Sequence, residues 1–305
     1  MCIICKGESL ENLKELWVCE NVSTLPEFPQ SLERLHCRKN RLLKTVPTLP
    51  QSLLEISFIC CVELETLPEI PAYLQCLVIF GSRLKSIPKL PKTITQFECS
   101  FCPEIKSLPE LKETSITNFR CNENKKIKLI PELPQSLLFF NCCKCKNLKA
   151  LPKLPQSLIS LVCDHCPKLA YIPVLPSSIR TLICCNCNSL TVLPKLPQSL
   201  EVLWFKGCNR LQRIPEITSS LEDFECENCP NLIYIHESAL QYDKSQTLKG
   251  IIDELNWKET QARHFFSMES GMIFEELMNV TWHPSRVVKW CLDTENIERI
   301  KAFNQ

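Results

Sequence analysis

Apolar and polar positions recur along this chain in one phase, from near its start to about residue 235. The stretch 32–42 shows the unit. Leu32, Leu35, Cys37 and Leu42 are apolar, while Arg34, His36 and Arg38 interleave with them. Alternation about Leu35 and Cys37 has the two-residue period of a strand, so those two face inward and their neighbours outward. The unit returns as Leu158, Leu161, Cys163, Cys166 and Leu169, as Ile179, Leu182, Cys184, Cys187 and Leu190, and as Leu221, Phe224, Cys226, Cys229 and Leu232. A degenerate opening copy uses Leu13, Leu16, Val18 and Asn21. A second phrase keeps the same beat. Leu25-Pro26 recurs through Ile214-Pro215 at intervals of 21 residues, with one of 20 (Leu67 to Ile87) and one of 22 (Leu108 to Ile130). So strict a period predicts a solenoid whose copies each add one short strand to a parallel sheet. Ten strands at a spacing of ~4.8 Å would give a sheet roughly 50 Å long.

The segments between strands read as in Leu151-Pro152-Lys153-Leu154-Pro155-Gln156-Ser157-Leu158. Two prolines three apart exclude a regular helix and predict an extended return. The Ser or Thr ahead of the next strand can close the turn through its hydroxyl. Lys112 and Thr218 stand where the second proline is expected, which predicts a looser wall at those copies.

The 32–42 stretch reads L-x-x-L-x-C-x-x-N-x-L, and with the L-P-x-L-P phrase it resembles the short, proline-containing class of leucine-rich repeats. Bacterial effector ligases and their ligase-free relatives carry a similar phrase. The Cys-rich variant is similar to leucine-rich-repeat proteins of giant viruses of amoebae. So is the tail, with Phe274-Glu275-Glu276-Leu277-Met278, then Trp282-His283-Pro284-Ser285-Arg286 and Trp290-Cys291-Leu292-Asp293. The resemblance covers residues 10–235. It implies a horseshoe with a parallel β-sheet on the concave face, an extended Pro-rich convex side and a small C-terminal α-helical cap. It further implies that the residue three after the inward Cys caps backbone groups of the neighbouring turn. Asn21, Asn40 and Asn124 can bond fully there, while Cys61, Cys102, Cys145, Cys166, Cys187, Cys208 and Cys229 are weaker donors that fit the same space.

The expected division is 1–24 for an N-terminal cap and degenerate first repeat, 25–235 for ten repeats, and 236–305 for the cap. In the tail Leu248, Ile251, Ile252, Leu255, Phe265 and Phe266 have helical spacing. Ile273, Phe274, Leu277 and Met278 form a second apolar segment, and Ser285 can cap a third carrying Val287, Val288 and Trp290. The raw apolar end of a solenoid needs such a cover. Docking of a host factor on the same segment is the functional counterpart of that reading.

Charge is balanced, with 35 basic and 34 acidic residues and a net charge of +1. That gives no general attraction to nucleic acid or to an acidic membrane, and neither is an expected partner. With 22 Pro against 5 Gly, the connections are stiff. The apolar run at Ile3-Ile4 is too short for a signal-peptide core, and no stretch has the length of a membrane span. The expectation is a monomer that is not secreted and works in the cytoplasm, the host's if the protein is viral.

The 22 cysteines follow the repeat, which points to cysteine as a small buried hydrophobe rather than a disulfide framework. Cys99/Cys102, Cys142/Cys145, Cys163/Cys166, Cys184/Cys187 and Cys226/Cys229 have the spacing of zinc-ligand pairs. Sibling copies place Phe58 and Phe205 in the same slot, and Phe cannot be a ligand. No metal and no cofactor is therefore expected. Cys291-Leu292-Asp293 resembles the nucleophile motif of the effector ligases, but only 70 residues follow the repeats and Thr294 stands where those enzymes carry Arg. His36, His165, His236, His264 and His283 are scattered, with no catalytic grouping.

The reading is a non-enzymatic scaffold that binds a protein partner on the concave face. The alternative is a ubiquitin-pathway adaptor or ligase-like effector acting through the C-terminal segment. Outward strand positions are the binding candidates. Arg34, His36, Arg38 and Lys39 lie early, Val78, Phe80, Phe101, Phe139 and His165 in the middle, and Trp204, Lys206, Asp223, Glu225 and Glu227 late. Exposed aromatics flanked by opposite charges at the two ends would suit an elongated partner.

Overall fold

In a computed structural model, residues 3–232 and the backbone of Tyr234–Ile235 are described. The tail expectations (its helices, its role as a cap and the Cys291 motif) lie outside the described residues. After a single-turn helix α1 (Ile3–Lys6), the chain lays down strands β1 (Glu15–Val18), β2 (Arg34–Arg38), β3 (Glu55–Ile59), β4 (Cys76–Phe80) and β5 (Gln96–Ser100). Three-residue strands follow at β6 (Asn118–Arg120), β7 (Phe139–Asn141), β8 (Ser160–Val162), β9 (Thr181–Ile183) and β10 (Val202–Trp204). The last elements among the described residues are β11 (Arg213–Ile214), β12 (Asp223–Glu225) and β13 (Tyr234–Ile235). Strands β1 to β10 and β12 form one eleven-stranded sheet in chain order, every pair parallel. The opening copy is thus a full member, one more strand than the ten clear repeats supply. Strands β11 and β13 pair in parallel on a second line of contact, as do the bridges Leu129↔Ala150 and Val192↔Arg213.

Register is fixed by the inward residues. Leu16, Leu35, Ile56, Leu77, Phe97, Phe119, Phe140, Leu161, Leu182 and Leu203 align in one buried row. A one-residue slip of any strand would turn that row to solvent, at about 1.5–3 kcal/mol per large side chain. Phe97, Phe119 and Phe140 stack in this row with ring centroids 5.5 and 5.2 Å apart and planes within 5°. The next inward row runs from Cys37 through Phe58, Ile79 and Cys99 to Cys121, Cys142, Cys163 and Cys184, all fully buried.

The capping expectation holds at most copies. The Asn124 amide donates to the carbonyls of Cys99 (2.6 Å) and Cys121 (3.1 Å), while its oxygen accepts the Cys102 N–H (2.9 Å). Asn40 does the same work for Cys19, Val22, Leu42 and Leu43. At most copies where cysteine replaces asparagine, its thiol donates to the matching carbonyl one coil back; Cys102 instead meets the Ser100 carbonyl of its own coil and the Ser82 hydroxyl, at 3.3 Å each. Cys145 reaches Cys121 (3.1 Å), and Cys166, Cys187 and Cys208 reach Cys142, Cys163 and Cys184 at 3.2 Å each. Asn21 does not cap. It is exposed, because the first full coil has no preceding strand whose carbonyl needs it.

The turn hydroxyls also act as expected, and they tie neighbouring coils. Ser52, Ser157, Ser178 and Ser199 donate to the carbonyls of Leu32, Leu137, Leu158 and Ile179 at 2.6–2.8 Å. The wall is not looser at Thr218. The Leu221 N–H donates to its carbonyl (3.2 Å) as the Leu200 N–H does to Pro197 (3.2 Å), and Thr218 is buried. Proline is dispensable there because the turn needs a carbonyl, which every residue supplies. At Lys112 the bond moves one residue, from Thr114 N–H to Leu111 carbonyl (3.0 Å), which absorbs the longer copy.

One feature of the ten coils after the opening copy was not anticipated. The residue two after the second inward position is left-handed in each: Lys39, Cys60, Phe101, Glu123, Lys144, His165, Asn186 and Asn228 have φ of 54–57°, and Gly81 and Gly207 have 70° and 65°. The corner turns the chain out of the sheet. Its N–H bonds the next coil, as with Lys144 to Asp164 (2.6 Å) and His165 to Cys185 (2.8 Å).

Candidate functional site

The outward face of the sheet carries three rows of side chains. The first contains Glu15, Arg34, Phe139 and Asp223; the second Trp17, His36, Val78, Arg120, Trp204 and Glu225. The third contains Arg38, Phe80 and, just beyond the strand, Lys206. Phe101 and His165 are not strand residues at all. Both sit at the left-handed corner, where the chain leaves the sheet, so they edge this face rather than line it.

At the first strands Trp17 stacks on His36 with centroids 4.4 Å apart, and the Arg38 guanidinium lies 5.3 Å from the Trp17 ring centre. The Trp17 indole N–H donates to Glu15 (2.9 Å). Glu15 also holds Arg34 (3.5 Å) and approaches His36 (3.6 Å). Burial lowers the His36 pKa below the usual imidazole value against the pull of Glu15 and Glu55. Trp17 is half exposed and belongs among the aromatics of this face; it escapes notice in sequence because its copy is irregular.

Mid-sheet, Phe80 meets Phe101 at 4.5 Å between centroids. Next to them a hollow of about 370 Å³ opens over β6 to β8, lined by Asn118, Arg120, Phe139, Asn141, Ser160 and Val162. Phe139 is exposed on its wall, and Arg120 supplies a cation. Asp164 lies near one edge, its carboxyl raised above the ordinary range by burial, and it accepts the Cys185 N–H (2.8 Å). At the far end Lys206 pairs with Glu225 (3.0 Å) and Glu227 (3.6 Å). Trp204 is half-buried, and its indole N–H is buried with no hydrogen-bond partner among the described residues.

Opposite charge at the two ends is therefore weaker than expected. Arg34 is engaged by Glu15 and Glu33, and Lys206 by two glutamates of its own end. The face is better described as two aromatic pairs and the single rings of Phe139 and Trp204, separated by mixed charge. Among the described residues no group of three or more His, Cys, Asp or Glu side chains is placed to hold a metal. The i, i+3 cysteine pairs are instead built into the coils. Cys99, Cys142 and Cys163 are fully buried with thiol pKa values raised, first by the hydrogen bond to a second thiol and then by desolvation.

No protein-family model and no curated protein matches the chain. Solved structures do. The leucine-rich effector protein YopM from Yersinia pestis aligns over 74% of this chain and 83% of its own, at 23% identity and a TM-score of 0.49. The leucine-rich-repeat domain of the type III effector XopL aligns over 65% and 76%, at 19% identity and 0.47. CroV588, a circular leucine-rich-repeat protein, aligns over 71% of this chain and 35% of that one, at 23% and 0.47. These neighbours are leucine-rich-repeat proteins, and the likeness is one of fold. The fold here rests on its own evidence, the repeated phrase and the eleven parallel strands in chain order. Among the described residues no helix is long and apolar enough to cross a membrane.

Proposed function

We propose that the protein is a non-enzymatic scaffold that binds a protein partner along the outward face of its sheet. In this reading the stack curves as a horseshoe with that face on the concave side, its outer wall extended and proline-rich, and residues 236–305 closing the end. The observation that carries it is the series of aromatic side chains along one face and its edge: Trp17 on His36, Phe80 against Phe101, and Phe139 beside its hollow. Large half-exposed aromatics on a rigid support are the side chains that anchor protein interfaces, and repeat stacks use such extended surfaces for binding. The chain works as a monomer in the cytoplasm. Resemblance of its Cys-rich repeats to proteins of giant amoebal viruses supports a viral protein acting on host factors.

Phe80→Glu and Trp204→Glu test the reading. Each places a charge on the face while leaving the inward rows intact. Affinity capture from host lysate with the intact chain should recover a partner that both variants lose while keeping native circular dichroism. Undiminished recovery by both folded variants would count against this face.

A further inference from the structure

A second surface runs along the edge that follows the strands. There the Lys149 N–H donates to the Lys128 carbonyl (3.1 Å) and the Ala170 N–H to the Lys149 carbonyl (3.3 Å). This thin ladder sets the Lys128 and Lys149 side chains next to one another on adjacent coils, and Lys106 holds the equivalent place one coil earlier. Earlier coils alternate charge at this position, as in the Lys85–Glu65 pair (3.0 Å). From Lys106 onward the alternation stops. Lys125, Lys146 and Lys168 stand beside the row, and all six lysines are exposed. The nearby acids Glu104 and Glu123 are engaged by Lys126 (2.6 Å) and Lys144 (2.7 Å). Like charges in adjacent ladder positions destabilise a sheet, and a bound anion would relieve that repulsion.

The neighbouring row says what kind of anion fits. Leu129 and Tyr171 are 64% and 54% exposed, with Ala150 between them. Four residues beyond Lys106 and Lys128 come the exposed acids Glu110 and Glu132, the second paired with Lys112 (2.9 Å). A planar anionic membrane laid on the lysines would meet the Glu110 carboxylate and this pair. A nucleic-acid backbone would set phosphates against Leu129. A single extended polypeptide is narrow enough to cover the cationic and apolar rows alone.

We propose that this edge binds an extended segment of another protein in which acidic and apolar residues alternate. Its carboxylates sit over Lys106, Lys128 and Lys149, and its apolar side chains over Leu129, Ala150 and Tyr171. Alternate residues of such a strand lie ~6.7 Å apart, within reach of flexible lysines on coils ~4.8 Å apart. This surface is separate from the outward sheet face, so either can fail alone.

The probe is a fluorescein-labelled twelve-residue peptide, Glu-Leu-Asp-Val repeated three times, titrated with the full chain by anisotropy. Saturable binding should weaken about tenfold or more when salt rises from low to physiological levels, as exposed charge pairs are screened. The triple reversal Lys106→Glu, Lys128→Glu, Lys149→Glu should lose at least tenfold in affinity. Reversal of Lys89, Lys153 and Lys195, which lie on the proline wall, should change it less than twofold. Leu129→Ser with Tyr171→Ser should lose several-fold. Circular dichroism checks the fold of each. The proposal is overturned if the wild-type chain does not bind the peptide, if the two triple reversals behave alike, or if a poly-dT oligonucleotide or phosphatidylserine vesicles bind more tightly than the peptide.

Discussion

Asn124→Ala is the sharpest test of how the coils are held together. The side chain is fully buried and serves three backbone groups, accepting from the Cys102 N–H and donating to the Cys99 and Cys121 carbonyls. Alanine leaves these groups sealed from water. A buried polar group left unpaired costs about 1–3 kcal/mol. The Cys121 carbonyl is the least affected, since a carbonyl tolerates partial satisfaction and Cys145 also donates to it. Two groups at full cost give a loss of about 2–6 kcal/mol. Cys166→Ala is the contrast. It removes one thiol bond to the Cys142 carbonyl and leaves a small void, for about 1–2 kcal/mol. Asn124→Cys should fall between, because a thiol can donate to Cys99 but orphans the Cys102 N–H. Urea unfolding followed by circular dichroism reads all three, with the slope checked for loss of two-state behaviour in a repeat array. Equal losses for Asn124→Ala and Cys166→Ala, or a loss under 1 kcal/mol for the first, would refute the capping argument.

Thiol chemistry and pH give two further expectations. Burial pushes Cys143 up to about 12 and Cys76 and Cys185 to about 11, so thiolate is scarce at pH 8 and iodoacetamide should spare these sites until denaturant is added; native labelling at the rate of a free thiol, read by peptide mass spectrometry, would contradict the burial. His36 is held below its unfolded pKa, so the unfolded chain binds the extra proton first and stability falls as pH drops through about 6.5. His36→Gln should flatten the fall in thermal midpoint between pH 7 and 5, and an unchanged profile would show that His36 does not contribute to it.

Much of the scaffold was legible because two periodicities coincide. Leu35 and Cys37 alternate within one strand, and the same pair returns a coil later as Ile56 and Phe58, so the inward face and the register follow together. The left-handed corner was not legible, because glycine marks it only at Gly81 and Gly207. A signal was present nonetheless. Across Lys39, Cys60, Phe101, Glu123, Lys144, His165, Asn186 and Asn228 there is no Val, Ile or Thr, the residues that tolerate positive φ worst. The candidate site was only half legible. Alternation placed Phe139 and Trp204 outward, but the positions of Phe101 and His165 depend on the corner, and the grip of Glu15 on Arg34 depends on which coils are neighbours.

Sulfur at the capping position has a mechanical consequence for the face opposite. Asn40 and Asn124 each bond several groups, so these coils are cross-tied through a planar amide with fixed directions. Cys145, Cys166, Cys187 and Cys208 each give one longer, weaker bond to the coil before. The joints at Asn40 and Asn124 are thus held by oriented hydrogen bonds as well as burial, while the unbroken run of cysteine coils after Asn124 is held chiefly by burial, which is insensitive to direction. Adjacent coils in that run can therefore adjust their spacing and twist at lower cost. It carries the hollow at Phe139 and much of the exposed row from Lys128 to Tyr171, the surfaces most in need of fitting a partner's shape. Hydrogen exchange provides the measurement. Amides of β7 to β10 should exchange faster than those of β2 and β6, the strands of the Asn40 and Asn124 coils, despite equal burial of their inward side chains, and the reverse order would show that the amide caps do not govern local stiffness.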